Sequence, residues 1–100
     1  MKQLGEVGSS VLFENDLVRI WEIDLPRGEE LPMHHHDLDY AAVVIEGDRI
    51  AGIPAVGSSG RHVEADVTRQ QMFSLKRGST ERAVNIGTKR YYEIQIELKD

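Results

Sequence analysis

Cysteine is absent from this chain, so no disulfide, thiol nucleophile or cysteine-ligated zinc enters its chemistry. Long apolar runs are missing too, and none approaches the ~20 residues that cross a bilayer. The opening stretch MKQLGEVGSS lacks the apolar core of a secretory signal, which makes a cytoplasmic location the expectation. Positive charge is not in excess. The formal net charge of −5 argues against a nucleic-acid-binding surface as the main function. No window repeats apolar residues at helical spacing, and neither an internal repeat nor a linker interrupts the chain. The remainder is ordinary for a globular protein, with 40% hydrophobic and 29% charged residues. One hundred residues make one domain over 1–100, hiding roughly 65% of the surface its unfolded form exposes.

Short β-prone segments separated by turn residues fill this length, which predicts an all-β sandwich or barrel over residues 11–98. Met1 to Ser10 reads as a loosely held arm. Val11 to Glu14 is a short strand, and Leu17 to Leu25 a longer one with apolar residues of both parities, as for a strand covered on both sides. Pro26-Arg27-Gly28 turns the chain. Leu31 to His36 follows as a strand in which Pro32 marks an edge or a bulge. Tyr40 to Ile45, Arg49 to Val56, Arg61 to Thr68, Met72 to Leu75, Glu81 to Ile86 and Tyr91 to Leu98 complete the set. Gly57-Ser58-Ser59-Gly60 is a hairpin tip, and Gln70-Gln71 is at most the start of a helical turn. In the last strand Tyr92, Ile94, Ile96 and Leu98 share one face.

The stretch Gly28 to Gly47 carries the chemistry. On a strand, His34 and His36 share a face and His35 takes the other. Their Cα atoms then lie roughly 7 Å apart at a rise of ~3.3 Å per residue, so both imidazoles can reach one metal ion. Exposed loop histidines are the plainer alternative. Solvent exposure is the expectation for His35, and for His62 beside Glu64 and Asp66. Trp21 is assigned to core or interface.

The same stretch resembles the first cupin motif: Gly, five residues, His-x-His, three or four residues, Glu, six residues, Gly. Gly28, His34, His36 and Gly47 fall on it, and Tyr40 occupies the glutamate position, with Ala41 next. The second motif, Gly, five residues, Pro-x-Gly, two residues, His, three residues, Asn, matches at Gly78 and Asn85. Gln70, Lys76 and Glu81 stand at the other positions. The resemblance spans about Val11 to Leu98. It implies an antiparallel double-stranded β-helix, or jelly-roll barrel, of the small single-domain kind, usually paired as a homodimer.

In cupins the motif positions bind a divalent metal, which here maps to His34, His36, Tyr40 and Glu81. The carboxylate missing at Tyr40 reappears at Glu81. His34, His36 and Glu81 then make a two-histidine, one-carboxylate set suited to Fe(II), with Mn, Ni or Zn as competitors. Glu81 also reads as a solvated residue after a turn, and Tyr40 as core packing. If the metal does not claim them, Tyr40 and Glu81 are the acid/base candidates. Asp37 and Asp39 replace the missing glutamate if their bend turns inward. The function expected is a metal-centred pocket acting on a small polar metabolite by oxygenase, isomerase or lyase chemistry. The alternative is a non-catalytic binding or accessory protein with a degenerate site, and a third reading is a structural partner subunit.

Overall fold

The computed structural model describes residues 4–58 and 60–99. These form nine strands: β1 (Ser10–Glu14), β2 (Val18–Leu25), β3 (Glu30–His35), β4 (Tyr40–Glu46), β5 (Arg49–Pro54), β6 (Val63–Asp66), β7 (Met72–Leu75), β8 (Thr80–Asn85) and β9 (Tyr91–Leu98). No helix is present among the described residues, and none there is long and apolar enough to cross a membrane. Two antiparallel sheets face each other, a five-stranded one ordered β1-β2-β9-β4-β7 and a four-stranded one ordered β3-β8-β5-β6. Every pairing joins strands in opposite directions, so each inner face is set by side-chain alternation and each strand's parity decides what enters the barrel.

Ile23, Leu25, Leu31, Val44, Val67 and Tyr91 form the apolar core, with Ile50, Phe73 and Ala83 packed against it. In β2 the alternation is clean. Trp21, Ile23 and Leu25 point inward, while Val18 and Ile20 are only partly covered on the outer face. The expectation that both faces of this strand are covered does not hold within one copy of the chain.

In β9 the polar parity is the inner one. Tyr91, Glu93, Gln95 and Glu97 are buried, whereas Ile94 and Ile96 are partly covered outside and Leu98 is exposed. Buried polar groups of this kind persist only where partners compensate their lost hydration. Trp21 Nε1 donates to Glu97 Oε1 at 2.6 Å, with Arg19 at 3.7 Å. Gln95 Nε2 donates to the Val7 carbonyl at 3.2 Å.

That last bond corrects the reading of the N-terminal arm. Residues 1–3 lie outside the described residues, but those that follow are docked. Val7 is buried, and Gly5 N donates to Met33 O at 2.7 Å. Gly8 lies so close to Trp21 that a Cβ there would meet its side chain at 2.8 Å. Gln70 adopts φ +72° and donates its N–H to the Val44 carbonyl at 2.6 Å, which makes a turn rather than the start of a helix. Ser59, at the expected hairpin tip, lies outside the described residues.

Gly47 turns β4 into β5 with φ +137°. A Cβ at this position would sit 2.7 Å from Tyr91 Cδ2. The left-handed backbone and the crowding act together. Gly47→Ala should therefore lower stability by about 2 kcal/mol, or roughly 10 °C in Tm for a chain this size. A thermal melt within about 2 °C of wild type would show that the turn absorbs the methyl.

Candidate metal centre

Pro32 sets up the site. It lies in β3, an edge strand of its sheet, where its missing N–H is tolerated. Around it the register with β8 shifts from Leu31↔Ala83 to His34↔Glu81, with one extra residue on β3. This bulge lets Leu31 and His34, an odd number of residues apart, both point inward. His34 and His36 are each 2% exposed, and His35 faces the other way, with its Nδ1 2.6 Å from Thr80 Oγ1. Strand β3 ends at His35 rather than at His36. The backbone of His36 remains fixed, its N–H donating to Ser79 O at 2.9 Å and its carbonyl accepting from Gly78 N at 2.8 Å.

The ring nitrogens have defined roles. His34 Nδ1 lies 2.7 Å from the Pro32 carbonyl. A carbonyl only accepts, so Nδ1 carries the proton and the Nε2 lone pair is free for a metal. The His36 ring stacks on Tyr40 at 4.1 Å between centroids and meets His34 edge-on at 4.9 Å. Its Nδ1 is buried without a partner among the described residues. Burial, and after it the neighbouring charges of His34 and His35, pushes the His36 pKa down to about 4. Its imidazole is therefore neutral at pH 7, the state that ligates.

Glu81 lies directly opposite His34 across the β3–β8 pair, which puts both side chains on one face of the sheet. Beside it on β5, Gly52 leaves room for the carboxylate, since a Cβ there would lie 3.2 Å from Glu81 Oε2. One donor atom each from His34, His36 and Glu81 lies within 4.8 Å of the others. At ~2.1 Å per bond, two ligands of one ion stand at most ~4.2 Å apart, so a rotamer-scale adjustment brings all three onto a divalent metal. The fit is supported by the free Nε2 of His34, the orphaned nitrogen of His36 and the opposed carboxylate.

Tyr40 is buried beside the histidines. Burial first, then the charges of Glu81 and Glu93, pushes its pKa up, opposed by a hydrogen bond with the Ser79 side chain. The phenol is held neutral, which suits a hydrogen-bond or proton donor better than a metal ligand. Asp37 and Asp39 do not turn inward. The Asp37 side chain is 87% exposed, and Asp39 accepts from the Arg77 backbone N–H at 2.9 Å and from its Nε at 3.3 Å. His62 is exposed, with its Nε2 2.9 Å from Glu64 Oε2.

These groups open onto a cavity of about 630 Å³ between the sheets. Ile50, Val63, Phe73 and Leu75 supply apolar wall, and His34, His36, Tyr40, Glu81 and Glu93 the polar part. Glu93 is a residue that the sequence reading did not single out. Burial, and to a lesser degree the charge of Glu81, raises its pKa to about 7, against the pull of the Tyr91 hydrogen bond. The signal for it was the run of Glu93, Gln95 and Glu97 on one parity of the last strand.

No family model matches the chain, and no curated protein shows significant sequence similarity to it. Solved structures do match. A cupin domain from Bordetella pertussis Tohama I superposes with a TM-score of 0.80 at 23% identity, covering 100% of this chain and 99% of that one. An RmlC-like cupin family protein with a double-stranded β-helix fold, from Methanocaldococcus jannaschii, gives 0.69 at 15% identity over 95% and 94% of the two chains. An oxalate oxidase in complex with the substrate analogue glycolate gives 0.62 at 22% identity, with 79% of this chain and 40% of that chain covered. Two facing antiparallel sheets and full-length superposition on such domains lead to one conclusion: this chain has the cupin fold, the antiparallel double-stranded β-helix.

Proposed function

We propose that the cavity is a metal-centred small-molecule site, in which His34, His36 and Glu81 hold a divalent ion and the protein acts on a small polar metabolite. The observation that carries this reading is the convergence of those three donor groups within 4.8 Å on the wall of a cavity large enough for such a ligand. Fe(II), Mn, Ni and Zn are the candidate ions, since two imidazoles and one carboxylate suit all of them. When bound, the ion supplies Lewis acidity and open positions for ligand oxygens. The chain's own part is to orient the ligand against the apolar wall and to present the neutral Tyr40 phenol as a proton donor. Oxygenase, isomerase and lyase chemistry are the reaction classes this arrangement serves. Structural likeness to an oxalate oxidase supports a small oxygen-rich acid as the kind of ligand to try first.

A non-catalytic binding protein is the second reading. It is favoured by the phenol at the motif's glutamate position and the carboxylate at its second histidine position. Metal analysis of protein purified without added metal separates the two. Stoichiometric iron, manganese, nickel or zinc supports the metal-centred reading, and an empty site that also fails to take up any of these ions rejects it.

We further propose that two copies pair through the outer face of the larger sheet. Val18, Ile20, Ile94 and Ile96 lie there half-covered and leave apolar area for a partner. A monomeric mass by sedimentation at tens of micromolar would contradict the pairing.

A further inference from the structure

Glu93 is a second carboxyl in the cavity, more deeply buried than Glu81 and outside the His34–His36–Glu81 group. It is 8% exposed and lines the cavity. The Tyr91 hydroxyl donates to its Oε1 at 2.5 Å. Its Oε2 has no hydrogen-bond partner among the described residues, yet it is not among the fully enclosed polar atoms, so it opens onto the cavity.

Glu97, on the same face of the same strand, makes the contrast. It is also buried, at 3% exposed, but it lies outside the cavity lining, and its Oε1 has both a donor in Trp21 and a cation in Arg19. A buried carboxyl kept for structure alone is satisfied by the protein around it. Glu93 has one tyrosine, no cationic partner among the described residues, and an open oxygen.

We propose that Glu93, braced by Tyr91, is a ligand-contacting residue whose open oxygen accepts a hydrogen bond from a hydroxyl or ammonium group of a small carboxylic acid. This rests on the metal-centred reading above. A divalent ion held by two neutral imidazoles and one carboxylate keeps net positive charge, and so attracts the ligand's carboxylate to the His34–His36–Glu81 side. The donor group then faces β9, and an aliphatic body lies along Ile50, Phe73 and Leu75. A hydrogen bond to a buried carboxyl oxygen discriminates strongly, because the analogue without the donor leaves that oxygen unpaired.

The probes are branched aliphatic carboxylates of one chain length that carry an ammonium, a hydroxyl or neither, on the carbon next to the carboxylate or one further. Their binding to manganese-loaded protein is measured by calorimetry, beside metal content, for wild type and Glu93→Met. Wild type should bind at least one donor-bearing probe about tenfold or more tighter than the plain carboxylate. In Glu93→Met that preference should fall to about twofold or less with metal content unchanged. The ranking of ammonium over hydroxyl, or the reverse, identifies the donor. A preference that survives in Glu93→Met comes from chelation and overturns the proposal, as does the absence of any preference in wild type. Failure to load metal is a failure of the metal reading instead. The same comparison on metal-free protein then decides the Glu93 role, upheld by a Glu93-dependent preference and rejected without one. Glu93→Ala, which asks for no new packing, replaces Glu93→Met if that variant does not fold.

Discussion

Replacing His34 or His36 by alanine should leave the purified protein with metal at background level. On the proposed metal-centred reading each removes one of three ligands, so the loss should exceed the ~10–100-fold that changes in outer-shell partners cost. Glu81→Ala should weaken binding strongly as well, because it removes the one anionic donor opposite His34. Tyr40→Phe is the counterweight. Its phenol is neutral and stacks on His36, so the variant should keep its metal while ligand binding or turnover changes. The four variants are compared with wild type by metal content and by competition against a chelator. Full retention in Glu81→Ala would remove the carboxylate from the ligand set. Loss in Tyr40→Phe would assign the phenol the role of the motif's glutamate.

Asn85→Leu should give the largest loss of stability among polar substitutions outside the site. The side chain is 1% exposed. Its Nδ2 donates to the Leu25 and Lys89 carbonyls, each at 2.9 Å, and its Oδ1 accepts from Gly87 N at 3.0 Å. One amide thereby ties the end of β2 to the turn between β8 and β9. Leucine keeps the volume but orphans two acceptors and a donor, at ~1 kcal/mol or more each. The expected cost is about 3 kcal/mol, or roughly 15 °C in Tm. Metal content should be unchanged, since Asn85 does not touch the ligand set. A shift under about 5 °C would mean that water replaces the amide.

Much of this was legible in the sequence, for identifiable reasons. The histidine pair could be read because period-two alternation holds from His34 to His36. Pro32 announced its bulge because a residue without an N–H cannot stay in a regular ladder. Glu81 was a candidate by its offset from Gly78, and that offset places it in register opposite His34. Glu93 was hidden because hydrophobicity alone assigns Ile94 and Ile96 to the interior. The barrel instead turns the polar parity inward, where Trp21, Arg19 and Val7 compensate Glu97 and Gln95. None of those partners is near β9 in sequence. The docking of Val7 was invisible for a similar reason: one apolar residue among glycines and serines has no period, and only the groove beside Gln95 gives it a place. Asp37 and Asp39 looked like substitutes for the missing glutamate, but the backbone N–H of Arg77 claims Asp39 from outside.

The place of β9 between β2 and β4 bears on how the protein is made. Its eight residues pair along their whole length with β2, from Val18↔Leu98 to Leu25↔Tyr91, and on the other edge with β4. On a ribosome, β9 emerges after every other strand of the barrel. Until then β2 and β4, the two flanks of the larger sheet, have no common neighbour. His34, His36 and Glu81 are all translated by that time, but Tyr91, Glu93 and Gln95, the β9 part of the cavity wall, are not. Nascent chains should therefore wait with the β9-facing edges of β2 and β4 unpaired, a state in which chaperone binding competes with self-association. Barrel closure, and with it a complete cavity, should come as one late and slow event governed by distant pairings.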